Sequence, residues 1–301
     1  MKILDINDLK SFNENTYITI GFFDGVHKGH QLILNTLKNK ANENNFKSLI
    51  ITFDEDVLDA FKMTKSLIPI NEKMQIFEKL NIDYVLLLKR KDNFMNLTAL
   101  EFIDKFLTVL NCKGIICGKD FNFGKDGKGN IDTLKKYSDY KIELVNDFYF
   151  EDNKVSSSYI RDLLANGKVE IANKLLFNPF HIEGEVIYGK QLGRTIGFKT
   201  ANIHLDEHKF LLKNGVYFGT VDFDEKTYYA MINVGYNPTV EDNNKIKLEV
   251  HILDFSKDIY EKKINVCFLN FHREERKFDS VNLLKTQLEK DIICLKKLIK
   301  K

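Results

Sequence analysis

The chain of 301 residues has no tryptophan, three prolines and four cysteines. Cys112, Cys117, Cys267 and Cys294 form no C-x-x-C pair, so no clustered thiolate set for zinc is expected, and the four read as reduced, mostly buried thiols of a cytoplasmic protein. No apolar run approaches the roughly 20 residues that cross a bilayer, and a membrane partner is not expected. The first residues, with Asp5 and Asp8, lack the apolar core of a signal peptide. An excess of one charge is also missing. Lys and Arg number 45 against 43 Asp and Glu, so nothing demands nucleic acid or an anionic surface as partner. The length allows two domains of ordinary size.

The first half alternates short apolar runs with amphipathic patterns. Strands are expected at Tyr17–Ile20, Leu49–Phe53, Tyr84–Leu88, Ile115–Cys117 and Ile142–Val145. Helical patterns lie between them, carried by Ile33, Leu37 and Ala41, by Met74, Phe77 and Leu80, and by Ile103, Phe106, Leu107 and Leu110. Continuous apolar strands alternating with helices predict an α/β domain built on a Rossmann-like parallel sheet covered on both faces. Ligands bind such sheets beyond the carboxyl ends of the strands. Three polar or Gly-rich segments fall there: Gly21–His30, Asp54–Asp56 and Gly118–Gly129.

Residues 181–271 change character. β-rich runs at Val216–Phe223, Tyr228–Val234, Leu248–Leu253 and Ile264–Phe271 are separated by Gly, Asn and Asp turns, predicting an antiparallel sheet or small barrel. A last helix from about Ser280 aligns Leu284, Leu288, Ile292, Leu295 and Ile299. The change is placed at Asn178-Pro179, giving domains 1–178 and 179–301.

The most informative segment is G-F-F-D-G-V-H-K-G-H, residues 21–30, where a strand, a glycine-rich turn and a helix start meet. Helix N-termini attract phosphate. Attack on the α-phosphate of ATP spreads charge over its equatorial oxygens, and His27 and His30 are positioned to supply donors to it. Gly29 lets phosphate approach the backbone, and Asp24 braces the turn or orients a metal. Taken alone, H-x-x-H also describes helix-capping histidines or part of a metal site. In V-S-S-S-Y-I-R, residues 155–161, the hydroxyls of Ser156 to Ser158 are either ordinary N-caps or, with the N–H groups, a phosphate site at which Arg161 neutralises the leaving pyrophosphate. In the second half, Thr200 and Asn202 present oxygens on one side of a strand, suited to Mg²⁺ on ATP, or form a polar strand edge. Glu249, a carboxylate in the apolar run K-L-E-V-H-I-L, is either a general base for a primary hydroxyl or a paired structural carboxylate.

Together these segments resemble the bacterial bifunctional riboflavin kinase and FAD synthetase family over nearly the whole chain. G-F-F-D-G-V-H-K-G-H, G-K-D-F-N-F-G and S-S-S-Y-I-R resemble its adenylyltransferase motifs. G-R-T-I-G-F-K-T-A-N, N-V-G-Y-N-P-T, E-V-H-I-L-D-F and R-E-E-R-K-F resemble its kinase motifs. The resemblance implies an N-terminal nucleotidyltransferase domain and a C-terminal antiparallel six-stranded β-barrel with a terminal helix. It implies a transferase that phosphorylates riboflavin to FMN with ATP and adenylylates FMN to FAD. The implied nucleotide and flavin contacts are Gly21, Phe23, Asp24, Gly25, Gly29, Asp120, Phe121, Ser157 and Ser158 in the first half. In the second they are Gly193, Arg194, Gly197, Asn233 and Arg273. Catalysis is implied at His27, His30, Arg161 and Glu249, with Mg²⁺ at Thr200 and Asn202.

The sequence departs from the family pattern in three places. Asp54-Glu55-Asp56 stands where a Pro-His-Pro-like stretch is usual, Lys89-Arg90-Lys91 replaces a more apolar strand end, and Lys199 replaces a proline. A chain with only one live activity, or a non-catalytic flavin- or nucleotide-binding protein, are the alternatives. The presence of His27, His30, Arg161 and Glu249 together argues against the second.

Overall fold

The computed structural model describes residues 1–61, 63–189, 197–206, 208–236 and 246–299. The chain forms two compact units, Met1–Tyr159 and Ile160–Lys301. The sequence places the change of character at Asn178-Pro179, whereas compactness divides the chain within the helix Ser157–Ala165.

The first unit is a six-stranded parallel sheet. Its strands are β1 (Lys2–Leu4), β2 (Thr16–Ile20), β3 (Lys47–Phe53), β4 (Tyr84–Leu88), β5 (Cys112–Gly118) and β6 (Lys141–Val145), in the order β1-β4-β3-β2-β5-β6. Every pairing is parallel. Strand β2 is buried along its whole length and β3 at all but its first residue. This is why both read as unbroken apolar runs rather than as alternation. Chain order reverses between β2 and β5, so the crevice at their carboxyl ends is the topological switch point. Helix α1 (Lys28–Glu43) turns Leu34, Leu37 and Ala41 inward; Ile33, expected there, is only half-buried. Helix α2 (Ile70–Lys79) buries Met74, Ile76 and Phe77. Helix α3 (Ala99–Phe102), opened by a Thr98/Glu101 capping box, runs into a π-helical turn over Ile103–Thr108. Helix α4 (Ile131–Tyr137) leads to β6, and a short hairpin of β7 (Tyr149–Phe150) and β8 (Asn153–Lys154) follows it.

Helix α5 (Ser157–Ala165) spans the division. The second unit adds α6 (Val169–Leu175) and six strands: β9 (His181–Ile187), β10 (Ala201–Ile203), β11 (Gly215–Phe223), β12 (Lys226–Tyr236), β13 (Ile246–Ile252) and β14 (Lys263–Arg273). They close as an antiparallel barrel in the order β10-β13-β12-β11-β14-β9, with β9 pairing both β14 and β10. Helix α6 is stapled to the barrel. Asn173 donates to the Phe268 carbonyl and accepts from the Phe180 N–H, and Glu170 accepts from Asn270 Nδ2 and the Phe271 N–H. Helix α7 (Val281–Ile299) lays Leu288, Ile292, Leu295 and Ile299 against Val216, Phe218, Met231 and Leu253. In a closed barrel a helix can pack only on the outer face, so Val216, Phe218 and Met231 point outward, while Ala230, Ile232 and Val234 fill the interior.

Candidate active sites

Between β2 and α1 the backbone turns through three left-handed residues, Phe23 (φ 51°), Gly25 (φ 77°) and Val26 (φ 39°). Such values strain a non-glycine residue and persist only when the surroundings enforce them. Asp24, almost fully buried, supplies that enforcement. Its Oδ1 accepts from the N–H groups of Leu67 (2.9 Å) and Ile68 (3.4 Å), and its carbonyl accepts from Ser157 Oγ at 3.0 Å. These contacts tie the turn to the segment 67–68 and to Ser157. The Phe23 ring packs edge-on against His30 and Phe77.

His27 caps α1. Its Nδ1 accepts from the His30 N–H at 3.4 Å, and the two imidazoles stack with centroids 3.7 Å apart. A neutral imidazole that accepts at one nitrogen carries its proton on the other, so Nε2–H of His27 is a donor. Burial lowers the His27 pKa to about 4. His30 lies well below the ordinary range through burial first, then the charges of His27 and Lys73. Both rings are therefore neutral at pH 7 and act as hydrogen-bond donors, not cations. His30 Nδ1 is buried without a hydrogen-bond partner among the described residues.

The lowered values have a consequence for stability. An unfolded histidine takes up a proton near pH 6.5, whereas folded His27 resists until about pH 4. The unfolded chain thus binds more protons in that window, and stability falls as pH drops through it. His27 alone is expected to make the first unit about 2 kcal/mol less stable at pH 5 than at pH 7. Urea unfolding at the two pH values checks this, and His27→Gln should remove the His27 share of the difference.

A cavity of about 320 Å³ opens beyond the ends of β2, β5 and β6. Gly21, Phe23, His27, Gly29 and His30 line it from the turn, Asp120 and Phe121 from the loop after β5, and Ser156 and Ser157 from the start of α5. Ser156 is the N-cap of that helix, its Oγ accepting from the Tyr159 N–H at 3.2 Å. Ser158 is exposed and outside the cavity lining. Asp24 and Gly25 are outside the cavity lining. Arg161 belongs to the second unit, where its guanidinium lies 5.9 Å from the Phe210 ring centroid.

Two departures from the family pattern turn out to be partners. The Asp56 carboxylate accepts from the Arg90 N–H, Arg90 Nε donates to the Asp56 carbonyl at 2.7 Å, and the Arg90 guanidinium pairs with Asp59. The acidic and basic segments offset one another. Lys73, in α2, went unremarked in the sequence although it is almost fully buried, with its ammonium 4.8 Å from the Phe22 ring centroid. Burial pushes its pKa down to about 8, against the pull of Asp24, Glu55 and Asp54. The available signal was a lysine beside Met74 on the core-facing side of an amphipathic helix.

In the second unit, cross-strand register assembles the site. Asn202 of β10 lies opposite Glu249 of β13, and Glu249 lies opposite Asn233 of β12. Asn233 in turn faces Val216, and Val216 faces Arg273 of β14. Directly opposed residues share a face, so this row is on the outer surface with Val216. Glu249 forms an ion pair with Lys247, two residues away on the same strand face. Asn202 is buried, and its Oδ1 has no hydrogen-bond partner among the described residues. Asn233 Nδ2 donates to Glu275 Oε1 at 3.0 Å. Glu275 lies directly over Gly235, where any Cβ would displace it; its place beside the row could be read only from the structure.

Thr200 borders a cavity of about 220 Å³ walled by Val186, Ala201, Val250, Ile252 and Ile259. The Lys199 carbonyl is the hydrogen-bond partner of His251 Nδ1 at 2.7 Å. Gly197 adopts φ +86°, with open space around its Cα. Gly193 and Arg194 lie outside the described residues. Arg273 is held by Asp291 of α7, with Nη2 2.7 Å from Oδ2 and Nε 3.1 Å from the same oxygen.

A riboflavin kinase family model matches residues 176–299, and an FAD synthetase family model matches residues 9–159. The chain is 39% identical to the bifunctional riboflavin kinase/FMN adenylyltransferase of Buchnera aphidicola subsp. Schizaphis graminum, over 99% of this chain and 98% of that one. It is 36% identical to the protein of that name from Bacillus subtilis (94% and 92% covered) and 35% identical to that from Listeria monocytogenes (92% and 90%). This chain belongs to the bifunctional riboflavin kinase/FMN adenylyltransferase family. A solved structure described as a macrolide-efflux protein from Streptococcus pneumoniae shares the fold, with a TM-score of 0.90 and 31% identity over 98% of this chain and 99% of that one. Among the described residues of this family member no helix is long and apolar enough to cross a membrane. Its two domains make it a transferase of both kinds, kinase and nucleotidyltransferase.

Proposed function

We propose that the β2–β5 cavity is where FMN is adenylylated and that the Asn202–Glu249–Asn233 row is where riboflavin is phosphorylated. The observation that carries this reading is the register that brings an orphaned amide oxygen, a carboxylate and a second amide onto neighbouring strands. It stands beside the neutral histidine pair, His27 buried and His30 half-buried, at the switch point of the parallel sheet.

In the first site an FMN phosphate oxygen attacks the α-phosphorus of ATP, and the bond to the bridging oxygen breaks to release pyrophosphate. His27 Nε2–H and the N–H groups at the start of α1 stabilise the charge gathering on the α-phosphoryl oxygens. Neutral donors suit this task because they are fixed before the substrate arrives. Gly21, Phe23, Gly29, Asp120 and Phe121 form the walls, and Ser157 keeps the turn in place through Asp24. The first-turn N–H groups of α5 offer a second phosphate cradle. The reading of Arg161 and Ser158 as phosphate contacts rests on the S-S-S-Y-I-R motif alone.

In the second site Glu249, held by Lys247, takes the proton from the ribityl 5′-hydroxyl as its oxygen attacks the γ-phosphorus, and ADP departs. The cavity beside Thr200, with apolar walls from Val186, Val250 and Ile252 and polar groups from Ser256, Lys257 and Asp258, suits a flat heterocyclic base with a polar edge. The unpartnered Oδ1 of Asn202 and the hydroxyl of Thr200 fit a hard cation that prefers oxygen ligands. Mg²⁺ held there would neutralise phosphate charge when bound with the nucleotide. Gly193, Arg194 and Gly197 supply the phosphate loop, and Asn233 and Arg273 border the flavin side. The free thiols suit a reducing, cytoplasmic setting.

The test is a product assay with purified protein, ATP and Mg²⁺, started from riboflavin and, in parallel, from FMN. Riboflavin should yield FMN and then FAD, and FMN should yield FAD and pyrophosphate. FAD from FMN without FMN from riboflavin would leave only the adenylyltransferase half, and no product from either would end the reading.

A further inference from the structure

Lys154, at the end of β8, is the one cationic side chain among the described residues lining the 320 Å³ cavity. Its Nζ stands 2.9 Å from Asp120 Oδ2 and 2.9 Å from Asp147 Oδ1. One ammonium thereby joins three segments at the cavity: the loop after β5, the loop after β6 and the β7–β8 hairpin. The hydrogen bonds to Asp120 and Asp147 raise its pKa above the ordinary lysine value, so it is charged throughout the neutral range. The histidine pair beside it is neutral. A polyphosphate in this cavity therefore finds hydrogen-bond donors at the turn and, among the described side chains that line it, one positive charge, at Lys154.

Resting on the adenylyl-transfer reading of this cavity, we propose that Lys154 is a phosphate-binding residue. Its ammonium passes from Asp120 and Asp147 to a phosphate group of ATP or FMN as substrate binds. Both carboxylate pairs are partly open to water, with the Asp120 side chain 75% exposed and that of Lys154 39%. Exchange from an exposed pair changes affinity by only about 2- to 5-fold. A lysine–phosphate hydrogen bond is charge-assisted at both ends, so the transfer is favourable. The residues that follow, Val155 to Ser157, lead straight into the N-terminus of α5, so Lys154 and that helix end address the same volume. The two carboxylates keep the cation oriented toward the cavity until a stronger anion displaces them.

Calorimetric titration with inorganic pyrophosphate, ATP and FMN, together with initial rates of FMN adenylylation, tests this on the full chain. Lys154→Met should weaken binding of the phosphate it contacts roughly 10- to 100-fold, raising that substrate's KM with little change in kcat. Lys154→Arg should restore most of the affinity. Asp147→Asn should tighten the same ligand about 2- to 5-fold by releasing the cation. If pyrophosphate and ATP respond, the contact is to the nucleotide; if only FMN responds, it is to the flavin phosphate. If Lys154→Met leaves all three affinities unchanged, or shifts them in the same direction as Asp147→Asn, the residue is a structural latch and the proposal is overturned. The underlying reading is checked separately: full adenylylation in His30→Ala would overturn that reading, whatever Lys154 does.

Discussion

Glu249→Gln is expected to lower FMN formation from riboflavin by about 10²- to 10⁴-fold, the range lost with a general base, while FAD formation from FMN stays at its normal rate. The geometry argues for so selective a loss. Glu249 lies between Asn202 and Asn233, on the outer barrel face that carries Arg273. Its side chain is partly open to solvent and paired with Lys247, so the swap to glutamine keeps the shape and leaves the core untouched. The fold should survive, and the lost rate then reports chemistry. His30→Ala should show the reverse pattern, because His30 stacks on His27 at the switch point of the other unit. Rates measured from riboflavin and from FMN separate the two outcomes. A parallel fall of both activities in Glu249→Gln would remove the assignment of Glu249 as base.

Asp291→Ala is expected to cost the second unit about 3–5 kcal/mol, the usual penalty for deleting one partner of a buried charge pair. Asp291 is completely buried and gathers three side chains. Arg273 binds it with Nε and Nη2, Gln287 donates to it at 2.6 Å, and His272 Nε2 lies 3.0 Å away. His272 in turn stacks on Phe218 at 4.3 Å. The carboxylate is the knot between α7 and the end of β14. Burial alone would raise its pKa, but the Arg273 and Gln287 hydrogen bonds outweigh burial and hold it below the ordinary aspartate value. Its contribution is thus present above the unfolded pKa near 4 and fades as pH falls through the lower native value. Urea titration followed by circular dichroism and by kinase activity would show the loss. An unchanged midpoint would mean that the cluster adds nothing to stability.

Much of the first unit was legible because its central strands, β2 and β3, are buried on both faces and leave uninterrupted apolar runs. Strand β1 escaped notice because Lys2–Leu4 is too short to show a period. In the second unit β11 to β14 were visible as runs, but closure rests on β9 pairing both β14 and β10, contacts distant in sequence; the strand pattern left sheet and barrel open, and the family resemblance pointed to the barrel. The terminal helix was recognised from its stripe, yet Asp291 was invisible there, since one acid beside Ile292 looks like any solvated residue. The segment 21–30 announced itself by strand, turn and helix start. Lys154 and Glu275 did not, because their roles arise from segments that meet only in three dimensions. The neutrality of the histidines likewise depends on burial, which spacing does not reveal.

The staples from α6 determine where this chain can be cut to obtain the kinase half alone. Asn173 and Glu170 fasten the first and last strands of the barrel, so a fragment starting at Pro179 would lose the peg that holds its seam shut. One starting beyond Ile187 would expose two bare ladders to neighbouring chains, an invitation to aggregate. A fragment meant to stay soluble has to carry Val169–Leu175 with it.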